Sequence, residues 1–236
     1  MGKKALAVLR KDIAETLQSF SNDEILLKSV YNPEDGEGGE LYFPASSSSV
    51  FRAKSYLLDR GECETNPEYL QLIPYVTFIT DGADGSDGAD GRKILVYERG
   101  KAGDENRLHA KFSIGVGGHV DDAVGGDTTL LDVITENLVR EIKEEIGINL
   151  NDWIENIHDL FYEAVVLVYS NDTVGSVHLG LSFLTIVPEA LLDEMIAENN
   201  VINNLQLIPA TTEAFENIEL EAWSQLVFNN LIDMGV

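Results

Sequence analysis

The segment Arg140-Glu141-Ile142-Lys143-Glu144-Glu145-Ile146-Gly147 constrains this chain more than any other stretch. Leu131, Ile134, Leu138, Ile142 and Ile146 recur at three- and four-residue intervals through it, which is the spacing of a helix with one apolar stripe. Gly147 stands where a glycine closes a helix, and Thr129 with Asp132 has the spacing of a capping box at its start. Glu141, Glu144 and Glu145 fall at i, i+3 and i+4, so their carboxylates share an arc roughly 100° wide. Three anions that close repel one another, which raises their pKa values or splays them apart unless a cation lies between them. Oxygen donors on a rigid element suit Mg²⁺ or Mn²⁺, and these ions suit phosphate chemistry. The residues point to a divalent-metal hydrolase.

Chance has to be weighed against this reading, because the chain carries 41 acidic against 16 basic residues, a formal charge of −25. At that density the pair Glu144-Glu145 alone is unremarkable, and an acidic solvated helix face is the plain alternative. The same charge argues against general nucleic-acid or anionic-membrane binding. With 236 residues and 44% apolar content, there is material for one good-sized domain with an extension. Cys63 is the one cysteine, so no internal disulfide and no cysteine-built metal cluster is expected. The start has a basic flank but too short an apolar run for a signal peptide, Leu6 stands where a myristoylation signal wants Ser or Thr, and no stretch approaches a membrane span. A soluble, cytoplasmic protein is expected.

Along the chain, the pattern predicts a helix over 9–20 and a mixed region of turns and short strands over 21–74. Strands follow over 72–80 and 93–98. Between them, Asp81-Gly82-Ala83-Asp84-Gly85-Ser86-Asp87-Gly88-Ala89-Asp90-Gly91 reads as a long hairpin loop; its aspartates lack the spacing of a calcium-binding loop. A short strand over 112–116 ends at Gly117-Gly118, and an acidic loop leads to the main helix. Further β-rich runs occupy 160–169 and 177–187, a helix fits 190–198, and a last helix fits 211–234 with Phe215, Ile218, Trp223, Val227 and Leu231 inward. Strands and helices mix without strict alternation, so the expected class is α+β or a three-layer sandwich.

The helix resembles the signature of the Nudix hydrolases: Gly, five residues, Glu, seven residues, Arg-Glu, an aliphatic, any residue, Glu-Glu, any residue, Gly, an aliphatic. Arg140, Glu141, Ile142, Glu144, Glu145, Gly147 and Ile148 match its second half. Strict counting places Asp132 at the first Glu and Gly126 at the opening glycine. Alternatively, Gly117-Gly118-His119-Val120-Asp121 after the strand looks like the family's opening loop; Gly118 then starts the motif, about eight residues more precede Arg140, and Asp127 or Asp132 replaces the Glu. The second alignment is preferred because the strand leads directly into the glycine pair. The run from Tyr97 to His119 is similar to a little-characterised bacterial branch of Nudix-type predicted phosphoesterases, a likeness covering about 72–187 plus Trp223-Ser224.

That resemblance implies an α+β fold, a Nudix-like α/β/α sandwich with a mixed β-sheet. Residues 1–70 would be an N-terminal extension packed on the core, and 71–236 the hydrolase-like domain including the C-terminal helix. It implies Mg²⁺- or Mn²⁺-dependent hydrolysis of a pyrophosphate bond in a nucleoside diphosphate linked to another moiety. Glu144 and Glu145 would hold the metal, with Glu141 as a further ligand or the residue activating water; a main-chain carbonyl near Gly117 and Gly118 would complete the coordination, and Arg140 would orient carboxylates. Members of the family differ in where the general base lies. A non-catalytic nucleotide-sensing module on the same fold is the second reading. The expected partner is a small nucleotide-type molecule, and homodimers are common among similar proteins.

Charge placement adds candidates. Arg92, Lys93, Arg99, Lys101, Arg107 and Lys111 put six of the 16 basic residues just ahead of the glycine pair, where a polyphosphate would need cations. Arg99, Arg107, Lys111, Gly117 and Gly118 are therefore taken as substrate-binding candidates. His109 and His119 flank the loop, either against substrate or bonded to the loop itself. His178 reads as structural and His158 as surface, and no histidine spacing suggests zinc. Glu163, Glu189, Asp193 and Glu194 are weaker candidates for a further ligand or base.

Overall fold

Ala5, Leu6, Ala7 and Val8 are all at most 1% exposed. Four consecutive buried residues mark a strand covered on both faces rather than one alternating between core and water. They form β1 (Lys4–Leu9). The structure is a computed structural model that describes residues 2–13, 27–29, 40–45, 49–80, 91–100, 111–121, 130–152, 165–169, 175–189, 202–233 and 235. The chain divides into two units, residues 1–75, 117–138 and 156–183 in the first and 76–116, 139–155 and 184–236 in the second.

The first unit is built on β1, β2 (Leu27–Ser29), β3 (Glu40–Ala45), β4 (Ser49–Asp59), β9 (Val165–Val168) and the opening parts of β5 (Tyr69–Thr80) and β10 (His178–Val187), in the order β2-β9-β10-β5-β1-β4-β3. β1 runs antiparallel to β4, Lys4 facing Asp59 and Val8 facing Ser55, and to β5 on its other side, Ala7 facing Gln71. A short helix α1 (Arg60–Cys63) follows β4, with Asp59 as its cap accepting from Gly61 N at 3.1 Å. Arg10 fastens this unit across long sequence distances. Its Nε donates to Pro67 O at 2.6 Å, Nη1 to Tyr169 Oη at 2.8 Å, and Nη2 to Ser176 O.

In the second unit β6 (Lys93–Arg99) is flanked by β11 (Ile202–Pro209), with Ile208 facing Ile94, and by β7 (Phe112–Ser113), with Ser113 facing Tyr97. Its Ile94 also pairs with Ile79 at the end of β5. A register shift interrupts β11 between Asn203 and Gln206, where Asn204 takes φ 48°, a left-handed geometry that asparagine tolerates. β8 (Gly115–Gly117) follows β7. Helix α2 (Leu130–Ile146) starts in the first unit and ends in the second; Ile134, Leu138, Ile142 and Ile146 are at most 3% exposed. Gly147, at φ 76°, ends it and donates from its N–H to Lys143 O at 3.2 Å.

The expected last helix over 211–234 is two helices, α3 (Thr212–Phe215) and α4 (Ala222–Asp233). Between them a turn leads into an extended stretch at 219–221. Phe112 N donates to Glu219 O at 3.0 Å, Glu221 N donates to Phe112 O at 2.9 Å, and Leu220 bridges Phe112 in parallel. These strand-like bonds to β7 break the helical run. Two strands, β1 and β11, stand where none was expected, and of the helix expected over 9–20 the described part is a single 3-10 turn, Arg10–Ile13. The aspartate–glycine loop at 81–90 and the helix expected over 190–198 lie outside the described residues.

Candidate functional site

On the second-unit half of α2, Arg140 sits between two of the carboxylates. Its Nη1 lies 2.9 Å from Glu141 Oε1 and 3.4 Å from Glu144 Oε2. Glu141 is 16% exposed and Glu144 60%. Glu145 is half-buried, with Oε2 shielded from solvent. One guanidinium nitrogen thus bridges two anions about one turn apart that would otherwise repel. Among the described residues the donor atoms that meet within 4.8 Å belong to a different group, and what these three side chains offer is carboxylate oxygen with one face open to water. That suits Mg²⁺ or Mn²⁺, which keep several waters and need few protein ligands.

In the first unit, the glycine bend is fixed by close backbone packing. A Cβ built on Gly117 would lie 1.9 Å from Pro74 O, so only glycine fits there. The Gly118 carbonyl accepts from Asn137 Nδ2 at 3.5 Å, a long bond from the middle of α2. Val120 O accepts from Leu6 N at 2.7 Å and pins the far end of the bend to β1.

The basic candidates have separate fates. Arg99 Nε lies 3.0 Å from Glu221 Oε2, and that carboxylate is buried. Lys111 Nζ lies 3.6 Å from Glu219 Oε1, an exposed pair of little energetic weight. Lys93 Nζ meets Glu189 at 2.5 Å, which gives that downstream candidate a partner. Arg107, Lys101, His109, His158, Glu163, Asp193 and Glu194, and with them Gly126, Asp127 and Thr129, lie outside the described residues.

A second constellation stands in the first unit. Glu64 just past α1, His119 in the glycine bend and His178 at the start of β10 place one donor atom each within 4.8 Å of one another. The two Nε2 atoms are 3.2 Å apart, with Glu64 Oε1 3.7 Å from His178 Nε2 and 3.9 Å from His119 Nε2. Gln71 Nε2, from β5, approaches His178 Nε2 at 3.2 Å. Arg10 contributes to this convergence by tying Pro67, near Glu64, to Ser176, near His178. The contact with His178 is the main reason the Glu64 carboxyl is held well down, at about 2; burial opposes the shift, while Gln71 and His119 reinforce it. Glu64 is therefore a carboxylate at neutral pH. No short motif announces this group, because its members are 55 and 59 residues apart.

No family model matches the chain. The crystal structure of Tm1382, a presumed Nudix hydrolase, superposes on it with TM-score 0.60 at 20% identity, covering 98% of this chain and all of Tm1382. A MutT/Nudix family protein from Listeria innocua gives TM-score 0.41 at 19% identity over 69% of this chain and 92% of its own. The fold, a largely antiparallel sheet with few helices, is that of the Nudix hydrolases. Protein YmaB of Bacillus subtilis is 30% identical over 236 residues, covering 98% of this chain and all of YmaB. The chain belongs to the family of YmaB.

Proposed function

We propose that this protein hydrolyses a pyrophosphate bond in a nucleoside diphosphate linked to another moiety, with Mg²⁺ or Mn²⁺ at the α2 carboxylates. The observation that carries the reading is the pairing of Arg140 with Glu141 and Glu144 at 2.9 and 3.4 Å on a helix closed by a left-handed Gly147. A Nudix fold makes this helix the place to look, although a fold alone does not fix an activity.

Glu141, Glu144 and Glu145 would hold the ion, which when bound neutralises phosphate oxygens and lowers the pKa of a coordinated water. Arg140 sets the rotamers of Glu141 and Glu144 and is a positioning residue. Glu145 keeps one oxygen shielded from solvent, whereas Glu144 is exposed. Among the described basic candidates, Lys111, weakly paired at the surface, is more able to turn toward a polyphosphate than Arg99, which is engaged with a buried carboxylate.

The test is a phosphate-release screen over nucleoside triphosphates, dinucleoside polyphosphates and nucleotide sugars in Mg²⁺ or Mn²⁺. Turnover that disappears in folded Glu144→Gln and Glu145→Gln variants is expected. Full turnover in both variants overturns the assignment, and saturable nucleotide binding without any phosphate release would turn the protein into a sensing module.

A further inference from the structure

We propose that Glu64, His119 and His178 form a site for a borderline divalent cation of the zinc type, built from a different donor set than the α2 carboxylates. An ion held at ~2.0–2.1 Å by tetrahedrally disposed nitrogen and oxygen ligands needs those donors ~3.3–3.4 Å apart. The two Nε2 atoms, at 3.2 Å, are already at that spacing. Glu64 Oε1, at 3.7 and 3.9 Å, has to close by a few tenths of an ångström. Its side chain is 30% exposed and has the freedom to do so.

The imidazole and carboxylate atoms that meet here are ones that a shared proton or a shared cation can hold together. If His178 Nε2 is the unprotonated acceptor, the Gln71 amide and His119 compete for its single lone pair while the Glu64 anion faces it. If His178 Nε2 carries the proton, it is turned to the Glu64 carboxylate, which the Gln71 amide also approaches. A cation at the meeting point would take the place of the shared protons, because two imidazole lone pairs and a carboxylate then share one electrophile. Gln71 is fully buried and its Oε1 has no hydrogen-bond partner among the described residues. A half-turn of that amide would present a fourth, oxygen donor at the same point.

Two imidazoles with one carboxylate form a softer set than three carboxylates, and it selects zinc-like ions over Mg²⁺. His178 is 5% exposed and His119 18%. The point is therefore shielded, with access past Glu64 and His119. Binding there would tie the end of α1, the glycine bend and the start of β10 to one ion.

The experiment titrates the full, chelator-stripped chain with Co²⁺ under excess Mg²⁺, read by the visible d–d absorption of low-coordinate cobalt and by displacement with Zn²⁺. One equivalent is expected to bind. Affinity should fall by roughly tenfold or more in His119→Asn and in Glu64→Gln, and stay unchanged in Glu144→Gln/Glu145→Gln. His178→Asn is a further variant, but its burial puts folding at risk, so the partly exposed His119 and Glu64 carry the test. Absence of cobalt absorption in the unmodified chain, wild-type affinity in the His119 and Glu64 variants, or loss of absorption in the α2 variant would each overturn the site. Because the readout is spectroscopic, its failure is distinct from a failure to find hydrolysis.

Discussion

Arg99 Nε lies 3.0 Å from Glu221 Oε2, and this pair anchors the entry of α4 onto β6 and β7. The carboxylate is buried; its Oε1 accepts from Ser113 Oγ at 2.7 Å and from Ser224 Oγ at 3.2 Å. Ser224 Oγ in turn accepts from Ile114 N at 3.1 Å. Removing only the cation would leave an anion without its charge partner in a place poor in water. Arg99→Met is expected to cost on the order of 1–3 kcal/mol, less than a fully buried pair because Arg99 keeps contact with solvent. A lowered urea midpoint with unchanged slope checks this, and an unshifted midpoint would show that the pair contributes nothing net.

Gly117→Ala sets a methyl against Pro74 O at 1.9 Å, and the obstacle is backbone rather than a movable side chain. Overpacking of this kind costs about 1–3 kcal/mol or more. The variant is expected to be destabilised or insoluble, as seen in its urea or thermal transition. Wild-type stability would mean that the bend shifts freely.

Arg140 is partly exposed, so its ion pairs contribute little to folding. Arg140→Gln is therefore expected to leave the melting temperature nearly unchanged. If the proposed hydrolysis is found, turnover should drop roughly 10- to 100-fold as the carboxylates lose their orientation. Equal kcat in the two proteins would remove Arg140 from the positioning role.

Cys63 is 1% exposed, and its thiol is pushed above the ordinary value chiefly by burial, with Asp59, Glu62 and Glu64 adding to the effect. A raised pKa leaves less thiolate near neutral pH, and the thiolate is the reactive form. Alkylation by iodoacetamide at pH 7.5 (a typical assay value, roughly one to two units below a free thiol's pKa) should be at least ~10-fold slower in the native chain than in urea. Rapid labelling of the native protein would contradict the buried placement.

Helix α2 was legible from local pattern, because an apolar stripe at three- and four-residue spacing and a closing glycine are written within one segment. The same holds for β5, β6 and β10, whose apolar runs lie between turn residues. β1 was not legible: Ala5-Leu6-Ala7-Val8 has no alternation, and a short apolar run reads equally as helix or strand until something pairs with it. The break between α3 and α4 had the same cause, since Glu219 and Glu221 form their strand-like bonds with Phe112, more than a hundred residues away.

What the sequence by itself determined was the set of carboxylates on one helical turn, because backbone periodicity alone places i, i+3 and i+4 side by side. Only the tertiary structure decided that Glu64, His119 and His178 meet. Their proximity depends on β10 pairing into the first unit's sheet, on the glycine bend packing against Pro74, and on Arg10 tying the loop after α1 to the turn before β10. Such contacts are set by strand register and close packing across the chain, which no short window of residues encodes.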